Sequence, residues 1–189
     1  MNRQSRPIML LKPALAGVLA LLAAGCGGTT ADPVPQASTA AAAPTAPSPA
    51  AATPCDAGQT VVFSCATGAE SAIALCGSPD HARLTYHESG SAAAPDWPAD
   101  DTPAATAFRA GTLMFSGGGG AFLRFDRDGQ AHTVYTGIGR GWEKAGLVVQ
   151  DGERTVRELT CDGEVVSQIG PELFEQAAIP ADPAGFVIP

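Results

Sequence analysis

Residues 111–150, GTLMFSGGGGAFLRFDRDGQAHTVYTGIGRGWEKAGLVVQ, are the stretch that decides the fold. Short apolar bursts alternate with glycine-rich or Asp-Gly breaks, a pattern typical of antiparallel strands joined by tight turns. We predict four strands here, with a hairpin turn at 126–129 and a glycine-rich loop at 137–144. The strands are Thr112–Ser116, Ala121–Phe125, Ala131–Thr136 and Gly146–Gln150.

The four consecutive glycines at 117–120 admit two interpretations. A phosphate-binding loop requires a lysine and a hydroxyl residue after its glycines and a helix to follow, and the sequence here supplies none of these. The glycines are better explained by a β-bulge or by a place where two backbones approach closely. We therefore predict no cofactor at this stretch.

Similar strand signals lie on both sides of the central stretch. Alternating apolar residues predict further strands at Thr60–Cys65, Ser71–Cys76, Arg83–His87 and Arg154–Cys161. Eight short strands with tight turns indicate an all-β domain, an antiparallel eight-stranded barrel-like or sandwich fold. Pro171–Gln176 is expected to form a short C-terminal helical turn, with proline at its first position. The apolar tail after it is expected to pack back on the sheet.

A long loop, Glu88–Thr106, interrupts the strands and carries a single tryptophan, Trp97. A lone tryptophan in such a loop either covers the edge of the core or contacts a partner. We favour the first role, that of a plug over the core.

The predicted domain, residues 55–189, contains Cys55, Cys65, Cys76 and Cys161. An even number of cysteines in an exported chain indicates disulfides, and the absence of a CxxC motif argues against a metal site. Four cysteines allow three pairings. We favour Cys65–Cys161, which would join the first strand to the last and close a sheet on itself, together with Cys55–Cys76, which would pin the entry of the domain to the end of the second strand.

The first 25 residues have the layout of an export signal. A basic start precedes an apolar run, Ala14–Ala24, that is too short to span a bilayer. The sequence Leu22-Ala23-Ala24-Gly25-Cys26 resembles a bacterial lipobox, which implies that Cys26 becomes the lipidated first residue. Gly27 in place of Asp implies sorting to the outer membrane, facing the periplasm. Residues 26–54, almost wholly Ala, Pro, Thr and Ser, are expected to form a disordered tether.

The charge balance narrows the range of partners. Three of the 11 basic residues precede Cys26, so the mature chain has eight basic residues against 19 acidic ones, a net charge of −11. An acidic surface argues against nucleic acid as a partner and is compatible with a cationic protein.

No arrangement of residues predicts catalysis or metal binding. The three histidines have no spacing typical of metal ligands. A triad of Ser116, His132 and Asp126 is conceivable, but its serine lacks the G-x-S-x-G turn and the strand–turn–helix context. We therefore predict that the protein is not an enzyme.

Four segments, VFSC (62–65), TLMFSGGGGAFLRF (112–125), VYTGIGRGWEKAGLVV (134–149) and LTC (159–161), resemble a family of small proteobacterial exported proteins and lipoproteins. The resemblance covers nearly the whole domain. It supports the predicted domain boundaries and implies no particular activity.

Shorter elements resemble the membrane-bound inhibitors of c-type lysozyme, periplasmic lipoproteins with an eight-stranded antiparallel barrel. Phe63-Ser64-Cys65, Ser116-Gly117 and Trp142-Glu143-Lys144 match their aromatic-x-Cys, Ser-Gly and Trp-x-Lys elements, in the same order and before a late cysteine. The resemblance implies that Ser116 and Lys144 enter the lysozyme cleft and hydrogen-bond its catalytic carboxylates. This chain departs from that family in one extra residue after Lys144, in its long loop, in two extra cysteines and in its long tail.

These observations predict a membrane-anchored envelope lipoprotein that acts as a non-enzymatic binding module, of the lysozyme-inhibitor type. The predicted binding residues are Ser116, Arg140, Trp142 and Lys144. The expected partners are the membrane, through the lipid at Cys26, and a cationic protein such as a lysozyme. The alternative is a structural or assembly lipoprotein of the outer membrane without a defined ligand pocket.

Overall fold

The structure is a computed structural model and describes residues 54–189. The predicted export signal, the lipid attachment at Cys26 and nearly all of the predicted tether lie outside the described residues. Within 54–189, no helix is long and apolar enough to cross a membrane.

Nine strands and two short helices make up the described part of the chain. The strands are β1 (Thr60–Gly68), β2 (Ser71–Gly77), β3 (Leu84–Ser89), β4 (Arg109–Phe115), β5 (Gly118–Arg127), β6 (Gln130–Gly139), β7 (Trp142–Asp151), β8 (Arg154–Thr160) and β9 (Asp162–Ser167). The helices are α1 (Ala104–Ala107) and α2 (Pro171–Gln176). The domain is all-β as predicted, and α2 coincides with the predicted helical turn.

The strands form two antiparallel sheets that pack as a sandwich. One sheet has four strands in the order β3-β2-β1-β9, and the other has five in the order β4-β5-β6-β7-β8. Both sheets are open, so the barrel-like alternative is wrong, as is the count of eight strands. Sequence analysis missed β9 because Asp162–Ser167 is mostly polar and follows β8 after a single residue. This strand pairs with β1.

The glycine-rich stretches belong to two long hairpins. The two-residue turn Ser116–Gly117 joins β4 to β5, and Arg140–Gly141 joins β6 to β7. The prediction of a glycine-rich loop at 137–144 is therefore wrong, because residues 137–139 pair with residues 142–144 and only the turn between them is unpaired. Gly117 and Gly141 have φ angles of +81° and +80°. Glycine adopts this conformation without strain, which explains its place in both turns.

The core lies between the sheets and is closed at one edge by aromatic rings. Trp97 stacks on Phe125 with ring centroids 4.5 Å apart, and it meets Phe108 edge-on at 5.5 Å. The backbone of Trp97 also exchanges two hydrogen bonds with Tyr86, at 2.7 and 3.0 Å. The prediction that Trp97 plugs the edge of the core is confirmed.

Two disulfides, Cys55–Cys76 and Cys65–Cys161, have the favoured pairing, with Cα atoms 5.5 Å apart in each. Cys65 lies on β1. Cys161 lies between β8 and β9, where the chain leaves one sheet for the other, and its N–H still donates to the Ala145 carbonyl at 2.9 Å. The Cys65–Cys161 bond thus ties the two sheets together at the crossover, and the prediction that it closes one sheet on itself is wrong.

An ion pair between a half-buried arginine and a buried glutamate also joins the two sheets. Arg157 on β8 donates two hydrogen bonds to the Glu88 carboxylate on β3, which also accepts one from the Tyr86 hydroxyl at 3.0 Å. The hydrogen bond to Glu88 raises the pKa of Arg157. Burial, followed by the Glu88 charge, raises the pKa of Tyr86. Tyr86 therefore remains a neutral donor, and the Glu88 side chain, 5% exposed, has its charge compensated.

We expect the Cys65–Cys161 bond to stabilise the domain more than the Cys55–Cys76 bond does. The sequence separations are 96 and 21 residues, for which loop-closure entropy gives about 4.7 and about 3.3 kcal/mol. Urea unfolding of the Cys65→Ala/Cys161→Ala and Cys55→Ala/Cys76→Ala variants measures both losses, and each variant is the control for the other. Equal losses, or the reverse order, would contradict this account.

Candidate functional site

Two hairpin turns meet at one end of the five-stranded sheet. A Cβ atom added to Gly117 would lie 3.5 Å from the Cβ of Arg140, so the turns Ser116–Gly117 and Arg140–Gly141 lie side by side. We call this end the tip and define it as residues 114–118 and 138–143. Both turns contain only two residues and continue directly as paired strands.

Glycines inside the strands bring the hairpins together. A Cβ atom at Gly118 would overlap the Ile138 carbonyl oxygen, and one at Gly120 would overlap the Thr136 carbonyl oxygen. Only glycine fits where two backbones approach this closely. The close-approach interpretation of the glycine run is thus confirmed for Gly118 and Gly120.

An aromatic pair lies across the outer side of the tip, the side that faces away from the core. Phe115 is paired with Gly118, and Trp142 is paired with Gly139. Since neither glycine has a side chain, the rings of Phe115 and Trp142 meet with centroids 5.2 Å apart. A Cβ atom at Gly139 would overlap the Trp142 indole, so the absence of a side chain at Gly139 makes room for Trp142.

The inner side of the tip exposes two large apolar side chains. Met114 is paired with Gly119, which is paired with Ile138, so both side chains belong to one row of the sheet. Met114 is 91% exposed and Ile138 is 58% exposed, although Ala110, on the same face of β4, is buried in the core. The four-stranded sheet therefore leaves this row uncovered. Neither residue was predicted as part of a site. The period-two alternation along the strands could have shown that both side chains lie on the face opposite to Phe115 and Trp142.

Three of the four predicted binding residues lie together. Ser116 and Arg140 lie in the two neighbouring turns. Trp142, which is 36% exposed, is the first residue of β7 and comes directly after the second turn. Lys144 lies apart from them. It is paired with Gly137, which is paired with Gly120.

The Lys144 ammonium donates a hydrogen bond to the main-chain oxygen of Pro189, at the far end of the tail. A strand spacing of about 4.8 Å and a rise of about 3.4 Å per residue put roughly 15 Å between the Cα atoms of Lys144 and Ser116. The structure therefore does not bring Lys144 and Ser116 together at one point.

A cleft of about 360 Å³ opens beside the tip. It lies between β7 and the β8–β9 crossover, and its lining includes Glu143, Lys144 and Glu164. Neither glutamate forms an ion pair within the described residues, and the Lys144 ammonium is hydrogen-bonded to the Pro189 oxygen, so the cleft can accept a further cationic side chain. Sequence analysis missed this pair because β9 itself was not predicted.

The histidines and the conceivable triad lie elsewhere. His132 is paired with Phe125, near the opposite end of β5 from Ser116, roughly 25 Å away at about 3.4 Å per residue. The His132 ring stacks on Phe125 with centroids 5.0 Å apart. Burial, and then the charges of Arg127 and Arg157, lower the pKa of His132. The structure thus does not assemble the triad of Ser116, His132 and Asp126.

The sequence predicts no metal site. Across residues 54–189, no three His, Cys, Asp or Glu side chains are grouped closely enough to hold a metal ion.

Comparisons of this chain with protein-family models, with curated proteins and with solved structures found no match.

Proposed function

We propose that this protein is a lipid-anchored envelope lipoprotein whose sandwich domain binds a cationic protein at the tip. The binding is non-enzymatic, and a c-type lysozyme is the first partner to test because of the resemblance described above. The tether of residues 26–54 would hold the domain at a distance from the membrane.

The exposed apolar surface of the tip is the observation that carries this proposal. Met114, Ile138 and Trp142 are all exposed on a short, hydrogen-bonded end of the sheet. Large apolar side chains on an ordered surface provide binding energy, because little conformational entropy is lost when a partner covers them. Arg140 and Ser116 add hydrogen-bonding groups at the rim.

The charge distribution favours a cationic partner. All acidic residues except Asp32 lie within 54–189, so the described residues contain 18 acidic and eight basic side chains, a net charge of −10. Five of the eight basic side chains are already in ion pairs with carboxylates. The remaining negative charge would attract a basic protein to the domain, and Glu143 and Glu164 place part of that charge beside the tip.

The proposed contact differs from the one that the lysozyme-inhibitor resemblance implies. In that resemblance Ser116 and Lys144 act together in one cleft, but here they are roughly 15 Å apart and Lys144 is hydrogen-bonded to Pro189. We therefore assign the main contact to Met114 and Ile138 on the inner side of the tip, which are 91% and 58% exposed. Lys144 has only a secondary role in the proposed contact with the partner.

Loss of the exposed apolar pair should weaken lysozyme binding. We expect the Met114→Ser/Ile138→Ser variant to raise the Kd for a c-type lysozyme by at least about tenfold, because central apolar contacts dominate such interfaces. Calorimetry and a lysozyme-inhibition assay measure the change. The matched control is Val156→Ser/Val166→Ser, which alters two exposed valines on β8 and β9, each 41% exposed. If both variants bind lysozyme as the wild type does, or if the wild type does not bind at micromolar concentration, the proposal is wrong.

Neutralising the cleft beside the tip should slow association. We expect Glu143→Gln/Glu164→Gln to lower the association rate constant roughly three- to tenfold at low salt and to weaken its dependence on ionic strength. Stopped-flow measurements across a salt series test this. Glu153→Gln, at the β7–β8 turn, is the control. A rate constant unchanged at every salt concentration would show that the cleft carboxylates do not steer the partner.

Membrane attachment can be tested separately. Cys26→Ser should move the protein from the membrane fraction to the soluble fraction, because a serine cannot take the thioether-linked lipid that anchors the chain. Ser38→Ala in the same predicted tether is the control and should stay in the membrane fraction. Retention of the Cys26→Ser variant in membranes would rule out Cys26 as the anchor.

A further inference from the structure

A groove without side chains runs along the outer face of the five-stranded sheet. Its floor consists of Gly120 on β5 and Gly137 on β6, because the rings of Phe115 and Trp142 meet across Gly118 and Gly139 and close the end nearest the tip. Leu113 and Phe115 of β4 form one wall, and Trp142 and Lys144 of β7 form the other. We call this groove the trough.

The C-terminal segment, Asp182–Pro189, lies across this face and ends in the trough. The Phe186 ring packs on Phe122 and Tyr135, with centroids 5.5 and 5.4 Å away. The Ile188 side chain occupies the space above Gly137, where any Cβ atom would overlap it. Val187, between them, is 87% exposed. After a turn over 182–185, in which Gly185 has a φ of +66°, residues 186–188 therefore lie as an extended peptide with alternate side chains pointing inward.

Side chains, rather than strand pairing, hold the segment in place. Arg124 donates to the Asp182 carboxylate at 2.5 Å and to the Gly185 carbonyl at 2.9 Å, and Lys144 donates to the Pro189 oxygen. The last main-chain bond to a strand runs from the Asp182 N–H to the Ala110 carbonyl, at 2.8 Å. Beyond Asp182, therefore, the segment can leave without breaking a β-ladder.

A separate cavity of about 540 Å³ lies beside the segment, against β7 and β8, and its lining includes Val148, Gln150 and Phe186 but none of the residues that form the trough. The trough itself has an apolar floor with polar groups at both ends, which is typical of sites that bind an extended peptide.

We propose that the trough is a binding site for an extended apolar segment of another protein, and that residues 182–189 occupy it as an internal ligand. The ligand carries an aromatic and an aliphatic residue two positions apart, as Phe186 and Ile188 are. Lys144 and Arg124 bind its main-chain oxygens and carboxylate. This surface lies on the opposite face of the sheet from Met114 and Ile138, and the proposal goes beyond the binding of a cationic protein at the tip.

The internal segment must compete with any external ligand. A segment tethered this closely acts at an effective concentration in the millimolar range. An external peptide of the same sequence, with a Kd of about 100 μM, should therefore bind the full chain about tenfold more weakly than a chain that lacks the segment.

Peptide binding to a shortened chain tests the proposal. The probe is a fluorescent peptide with the sequence of residues 186–189, FVIP, and the protein lacks the same four residues. This deletion retains the Ala110–Ala181 bridge and the Arg124–Asp182 pair. Fluorescence anisotropy should show binding to the shortened chain and about tenfold weaker binding to the full chain. If the shortened chain does not fold by circular dichroism, the full chain with Phe186→Ser/Ile188→Ser takes its place.

Two controls define the contact. Gly137→Val in the shortened chain should abolish peptide binding, because the new side chain fills the space of Ile188 while Phe115 and Trp142 remain 3.4 and 3.6 Å from its Cβ atom. A probe with Ile188→Ser should not bind, whereas one with Val187→Ser should bind as well as the original.

A folded protein that fails to bind the probe, or that binds the Ile188→Ser probe equally well, would overturn the proposal. Dimerisation of the full chain with rising concentration would also overturn it, because the segment would then be exchanged between copies. Lysozyme binding is measured on the same proteins, so failure at the trough can be distinguished from failure at the tip.

Discussion

Close backbone contact between β5 and β6 is the constraint on which the rest of this structure depends. At Gly118 and Gly120 a side chain would overlap carbonyl oxygens of the neighbouring strand, so the strands approach this closely at the tip end only because these positions have no Cβ atom. Two consequences follow from the same glycines. The hairpin turns lie side by side and form the tip, and the outer face of the sheet has a floor without side chains, which becomes the trough.

The alternation of apolar residues and the Asp-Gly turns predicted an all-β fold and most of its strands, because a period of two residues is a local property of the chain. The favoured disulfide pairing agreed with the structure, although the reason given for Cys65–Cys161, closure of one sheet on itself, did not. The glycine-rich stretch at 137–144 was predicted as a loop because glycine has a low β propensity. The side chains of Ile188 and Trp142, which fill the space above Gly137 and Gly139, explain why these strand residues are glycine, and such packing is a three-dimensional property of the fold.

Less of the candidate site than of the fold could be predicted from the sequence. Ser116 and Lys144 follow a family pattern in the sequence, but their separation depends on the hairpin register that pairs Lys144 with Gly137. Met114 and Ile138 alternate like core residues, and they are exposed because the four-stranded sheet does not cover the end of its partner. The tail was expected to pack on the sheet. The position of Ile188 above Gly137 could not be predicted, because it depends on a contact between residues that are far apart in the sequence.

The central claim is that the tip of the five-stranded sheet binds a cationic protein, and an NMR titration tests it most directly. A c-type lysozyme is added to isotope-labelled protein carrying Cys26→Ser, and amide shifts are followed for each residue. The account predicts that the largest shifts occur at residues 114–118 and 138–143, with smaller ones near Glu164. Absence of shifts at millimolar lysozyme, or shifts confined to the opposite end of the sheet around the β7–β8 turn, would contradict it.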